Sequence, residues 1–146
     1  MFGDFLRRLT APDPQPLSDP DARLALGALL VRIARTDGDY AKAEIAQIDA
    51  ALGRRFDLDA DGAAELRAQC EVLESEAPDT VRFTRAIKDA VGHDDRLALV
   101  EAMWAVVLAD GVRDQEEDSL MRMVVNLLGI TDQESHAARL RISNGT

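Results

Sequence analysis

The residues best able to do chemistry stand in two short acidic turns. The first reads Asp37-Gly38-Asp39-Tyr40-Ala41-Lys42-Ala43-Glu44, the second Asp110-Gly111-Val112-Arg113-Asp114-Gln115-Glu116-Glu117. In each, Asp-Gly closes an apolar run and a Glu follows seven positions after the Asp. Carboxylates are hard oxygen donors, and calcium or magnesium requires several of them converging on one point. Asp37, Asp39 and Glu44, together with Asp110, Asp114 and Glu117, are therefore candidate ligands for a divalent cation such as calcium. They do not form an EF-hand, because its earlier ligand positions would fall on Ile33 and Arg35, or on Val106 and Leu108. Helix capping is the competing reading. An Asp in an inter-helix turn accepts from free amides, Gly takes a left-handed conformation, and Glu completes the cap. One argument asks for more than capping. An Asp at the end of an apolar helix opposes that helix's dipole by about 0.3–1 kcal/mol, and here it does so twice.

A second acidic stretch, Asp57-Leu58-Asp59-Ala60-Asp61-Gly62, matches the first half of a calcium loop. The bidentate acid that should complete it falls on Ala68. Asp57, Asp59 and Asp61 are thus a weak metal candidate, set against an N-cap cluster for the following helix.

Catalysis has little to build on. His93 and His136 are isolated, with no Ser or Cys at a triad spacing. There is no HExxH, phosphate-binding loop or GxGxxG. Cys70 stands alone, which excludes an intrachain disulfide and a thiolate cluster within one chain. The expectation is a protein that is not an enzyme.

The elements that must position the turns are helices. Hydrophobic residues make up 47% of the 146-residue chain but aromatics only 4%, so the core must be built from Ala, Leu, Val, Ile and Met. That palette favours packed helices over a sheet. The runs Asp21–Thr36 and Asp95–Ala109 are apolar nearly all round, as central helices of a bundle are. Stripes at helical spacing follow: Ile45, Ile48 and Leu52; Leu66, Cys70 and Leu73; Phe83, Ile87 and Val91; Met121, Val124 and Val125. Asp19-Pro20 reads as a cap with Pro at the first helical position, and Thr131-Asp132-Gln133-Glu134 as a capping box. No stretch alternates with period two. The spacing predicts an all-α, single-domain bundle of about seven helices containing two pseudo-symmetric hairpins.

Ahead of the bundle, Phe2, Phe5, Leu6 and Leu9 share one face of a short helix over residues 1–9, beside Arg7 and Arg8. That face can dock on the domain, enter a partner's groove or lie on an anionic membrane, although so short a helix binds lipid weakly. Residues 10–19 form a Pro-rich linker, 20–142 the domain and 143–146 a tail. With a net charge of −10, the chain has no basic footprint for nucleic acid. A protein partner, in places at the membrane surface, is expected instead; the oligomeric state is not legible. No apolar run reaches the roughly 18–20 residues of a spanning helix, so the expectation is cytoplasmic, with peripheral contact at the inner membrane left open.

Shifting the chain by 73 positions lays Leu26–Leu52 on Leu99–Val125, pairing Leu30 with Met103, Asp37 with Asp110 and Glu44 with Glu117. An apolar helix, Asp-Gly, then a helix with Glu in its first turn, repeated near both ends, resembles the TerB-like family. That family takes in tellurite-resistance proteins and the N-terminal domain of a DnaJ-type co-chaperone. The stretch Asp94–Trp104 leading into Ala109-Asp110-Gly111 resembles it most. The resemblance covers roughly residues 20–142. It implies an all-helical fold, a bacterial stress or metal-resistance role, cation binding at acidic positions and no enzymatic activity. It also leaves a co-chaperone-like interaction domain as the alternative.

Overall fold

The computed structural model describes residues 2–9, 18–35, 40, 42–108 and 115–144, with the side chains of 19, 115–118, 143 and 144 outside that description. Among the described residues eight helices follow one another: α1 (Gly3–Leu9), α2 (Asp19–Ala34), α3 (Lys42–Phe56), α4 (Ala60–Glu76), α5 (Thr80–Ala90), α6 (His93–Val107), α7 (Gln115–Leu127) and α8 (Asp132–Asn144). Among the described residues there is no strand. The fold is the all-α bundle that the periodicity predicts.

The two helices expected at the centre are there. Ala25, Leu26 and the run from Ala28 to Val31 are buried along α2, as are Leu99, Val100 and the run from Met103 to Val107 along α6. Burial on nearly every face explains why neither shows a polar stripe. Amphipathic helices close around them. The α5 face of Phe83, Ile87 and Ala90 turns inward, as does the α7 face of Met121, Val124 and Val125.

Helix ends differ from expectation in small, explicable ways. The α2 cap is Ser18, not Asp19: the Ser18 hydroxyl accepts from the Asp21 amide at 3.4 Å, and Pro20 sits within the first turn where its missing N–H costs nothing. Helix α3 runs through Gly53 to Phe56 and stops at Asp57, whose φ is +54°. At Thr131 the capping box forms in both directions. The Thr131 hydroxyl accepts from the Glu134 amide at 3.1 Å, and Glu134 accepts from the Thr131 amide at 3.0 Å.

The internal repeat is longer than the sequence alignment suggests. Helix α4 packs on α2 as α8 packs on α6. Asp57 and Gly129, 72 positions apart, both hold a positive φ just before the next helix begins. Two positions after each stands the cap, Asp59 for α4 and Thr131 for α8. Each half is thus a three-helix unit rather than a hairpin.

The two central helices run in the same sense. The Arg23 guanidinium, near the start of α2, lies 4.9 Å from the centroid of the Phe56 ring at the end of α3. Arg55, next to Phe56, pairs with Asp95 in the first turn of α6. The starts of α2 and α6 are thereby tied to one end of the bundle. At the far end Arg32, in the last turn of α2, donates to the Pro78 carbonyl, and α5 leads back from there to the start of α6. Helices of this length extend about 22–24 Å at ~1.5 Å per residue. They therefore finish, at Arg35 and Leu108, toward the same end of the molecule.

Candidate functional site

The end of the bundle where α2 finishes carries a dense set of charges. Glu74, in the last turn of α4, is 9% exposed and holds two arginines. Its Oε2 accepts from Arg32 at 3.0 Å and its Oε1 from Arg35 at 2.9 Å. Arg32 also donates to the backbone carbonyls of Glu74, at 3.0 Å, and Pro78, while its guanidinium stands 5.7 Å from the Phe83 ring centroid. Two cations at the end of α2 also complement its dipole.

Beside this cluster Arg67 pairs with Asp49 at 2.6 Å and with Glu71 at 3.1 Å. Arg35 lies 5.1 Å from the Tyr40 ring centroid. Burial, and then the Glu71 carboxylate nearby, push the Tyr40 phenol well above its ordinary range. Asp49, Glu71 and Glu74 are thus each engaged by guanidinium groups. These three carboxylates tie α2, α3 and α4 together.

Glu44 is the remaining buried acid here. It lies in the first turn of α3 and is 2% exposed. Burying a carboxylate so fully demands a hydrogen-bonding or cationic environment, and Glu44 is engaged. Asp37, Asp39, Asp110 and Asp114 lie outside the described residues, as does the side chain of Glu117. Among the described residues no three His, Cys, Asp or Glu side chains gather into a metal site. The helices that precede the two acidic segments, α2 and α6, pack against each other.

One residue of the second metal candidate caps a helix. Asp59 caps α4, its Oδ1 accepting from the Gly62 amide at 2.7 Å. Asp57, Asp59 and Asp61 are all exposed, and Asp57 holds the left-handed residue ending α3.

The apolar face of α1 is docked. Phe5 and Leu9 are buried, Phe2 and Leu6 pack partly buried against the core, and the Phe2 and Phe5 rings meet edge to face at 6.3 Å. Arg7 and Arg8 remain outside, Arg8 reaching Asp21 of α2 at 4.0 Å.

Cys70 is fully buried against α2, and burial pushes its thiol up to about 12. Trp104 is core, its indole N–H donating to Ser135 at 3.1 Å. His136 is exposed, and His93 faces Glu134 at 3.0 Å. The Thr131 amide and hydroxyl, and then His93, hold Glu134 below the ordinary carboxylate range.

Sequence reasoning missed two features. One is the Arg32–Glu74–Arg35 cluster, whose signal was an Arg set among apolar residues near the end of a central helix. The other is a groove of about 350 Å³ between α2, α3 and α6. Its signal was the run of small residues Ala98, Ala102 and Ala105 on α6, facing Gly27 and Ala51.

A three-helix unit used twice, with two apolar helices at the centre, defines the class of fold. The family of the tellurite resistance protein TerB matches residues 23–140, nearly the whole bundle, and the chain belongs to that family. No curated protein and no solved structure matches it significantly. Among the described residues no helix is long and apolar enough to cross a membrane.

Proposed function

We propose that this TerB-family protein is a non-enzymatic stress module that binds one divalent cation between its two acidic turns. The supporting observation is directional: α2 and α6 start at one end of the bundle and pack against each other, so each acidic segment follows a central helix directed toward the other end. Glu44 and Glu117 follow in the first turns of α3 and α7. A shared site would gather oxygens from both halves, as a hard cation with six to eight ligands requires. It would also offset the dipole penalty of an Asp at the end of each central helix.

A thermal-shift titration with Ca²⁺, Mg²⁺, Mn²⁺ and Zn²⁺ tests this. A cation that binds only the folded state raises the midpoint by mass action, and Glu44→Gln/Glu117→Gln abolishes the rise. No shift at millimolar metal would refute it and leave a cation-independent interaction domain.

A further inference from the structure

No described residue of the acidic turns lines the groove between α2, α3 and α6. Leu26, Leu30, Leu52, Leu99, Ala102 and Ile142 give it an apolar wall. At about 350 Å³ it falls within the ~300–1,000 Å³ of small-molecule sites. Its charged lining is balanced, Arg54 and Arg55 against Asp95 and Glu101, in a chain whose net charge is −10. Two further guanidinium groups touch lining residues, Arg23 at Phe56 and Arg141 at Glu101. Arg55 is matched by Asp95 and Arg141 by Glu101.

The other two have no carboxylate partner among the described residues. Arg54 lines the groove, is exposed and forms no ion pair with a described residue. Arg23 lies over the Phe56 ring that borders the groove, and its buried Nε has no hydrogen-bond partner. From Asp95 to Ala105 the α6 wall is about 15 Å long, at ~1.5 Å per residue, enough to hold an extended ten-carbon acyl chain. Small side chains on α6 leave the floor open where a Leu would close it.

We infer that this groove binds a medium-chain aliphatic carboxylate, its tail along α6 and its headgroup on Arg54. The apolar wall accounts for the tail and the unmatched charge for the head. An alcohol of equal length would find only the wall.

Calorimetric titration of the full chain with decanoate, octanoate and decanol tests the assignment. Decanoate should bind one to one below its micellar concentration, roughly tenfold tighter than octanoate for two lost methylenes. Arg54→Glu should weaken decanoate roughly tenfold or more while leaving decanol unchanged. Ala102→Leu, which fills the floor, should abolish both; Ala98→Leu is the alternative filling variant should the first prove misfolded by circular dichroism. Absence of decanoate binding, or binding indifferent to Arg54→Glu, overturns the inference. So does self-association in sedimentation that the filling variant abolishes while decanoate fails to bind, which would give the groove to a second copy.

Discussion

Replacing Glu74 with Ala is the sharpest test of how the far end of the bundle is held. The carboxylate's side chain is 11% exposed and the Arg32 side chain 17%, so the pair is largely shielded from water. Removing one partner of a buried pair costs about 3–5 kcal/mol, because the other charge stays behind unmatched. Arg32 keeps its two backbone carbonyls and the Phe83 face, which argues for the low end. Arg35 is 40% exposed, and its arm adds no more than about 1 kcal/mol after solvent screening. The expected loss is therefore about 3 kcal/mol, or a fall in midpoint of roughly 6–12 °C for a domain of this size. Urea unfolding followed by the fluorescence of Trp104, the one tryptophan, measures it. Arg32→Met/Glu74→Leu should lose less than Glu74→Ala alone, since no charge is stranded. A loss below about 1 kcal/mol for Glu74→Ala would show a solvated, weak pair and refute the reasoning.

Three further outcomes follow from the same geometry. A Cβ on Gly27 would stand 2.3 Å from the Cys70 sulfur, so Gly27→Ala should destabilise by about 1–3 kcal/mol. Adding Cys70→Ala should recover much of that loss in urea unfolding, a coupling expected of touching residues. Asp79 is held below the ordinary carboxylate range by the Arg82 amide and side chain, and Glu134 by Thr131 and His93. The unfolded chain binds these protons more readily, so their stabilisation is present at neutral pH and is lost as pH falls through and below that range. Urea midpoints between neutral and acid pH should show this, with a flatter profile in Asp79→Asn/Glu134→Gln. Phe5→Ala should release α1 without unfolding the bundle: amide exchange in Gly3–Leu9 should accelerate while global stability changes by less than about 2 kcal/mol.

The fold was legible because its signals are local and redundant. Apolar residues all around α2 and α6, stripes on α5 and α7, and caps at Asp59 and Thr131 each fix an element without knowledge of its neighbours. The α3 end was less legible. Gly53 reads as a stop, yet the helix passes through it to Phe56, because the left-handed residue that ends it is Asp57. The third helix of each half also escaped the alignment, since its register is 72 positions rather than 73 and its composition differs.

The site was legible only as a list of residues. The repeated spacing singles out Glu44, but its burial depends on how α3 packs. That α2 and α6 run in the same sense depends on Arg23, Arg55 and Arg32, whose partners lie in other helices. Nothing in local periodicity points from Arg32 to Glu74, 42 positions away. The groove is a still weaker signal, because small residues along α6 read equally well as tight packing.

Whether one ion is shared between the two halves is decided most directly by calorimetric stoichiometry on the full chain. Titration with calcium, or with whichever divalent cation gives the largest thermal shift, should return one site per chain. Glu44→Gln and Glu117→Gln should each abolish that site alone. Two sites per chain, each lost independently with its own Glu, or no heat of binding at all, would contradict the shared site.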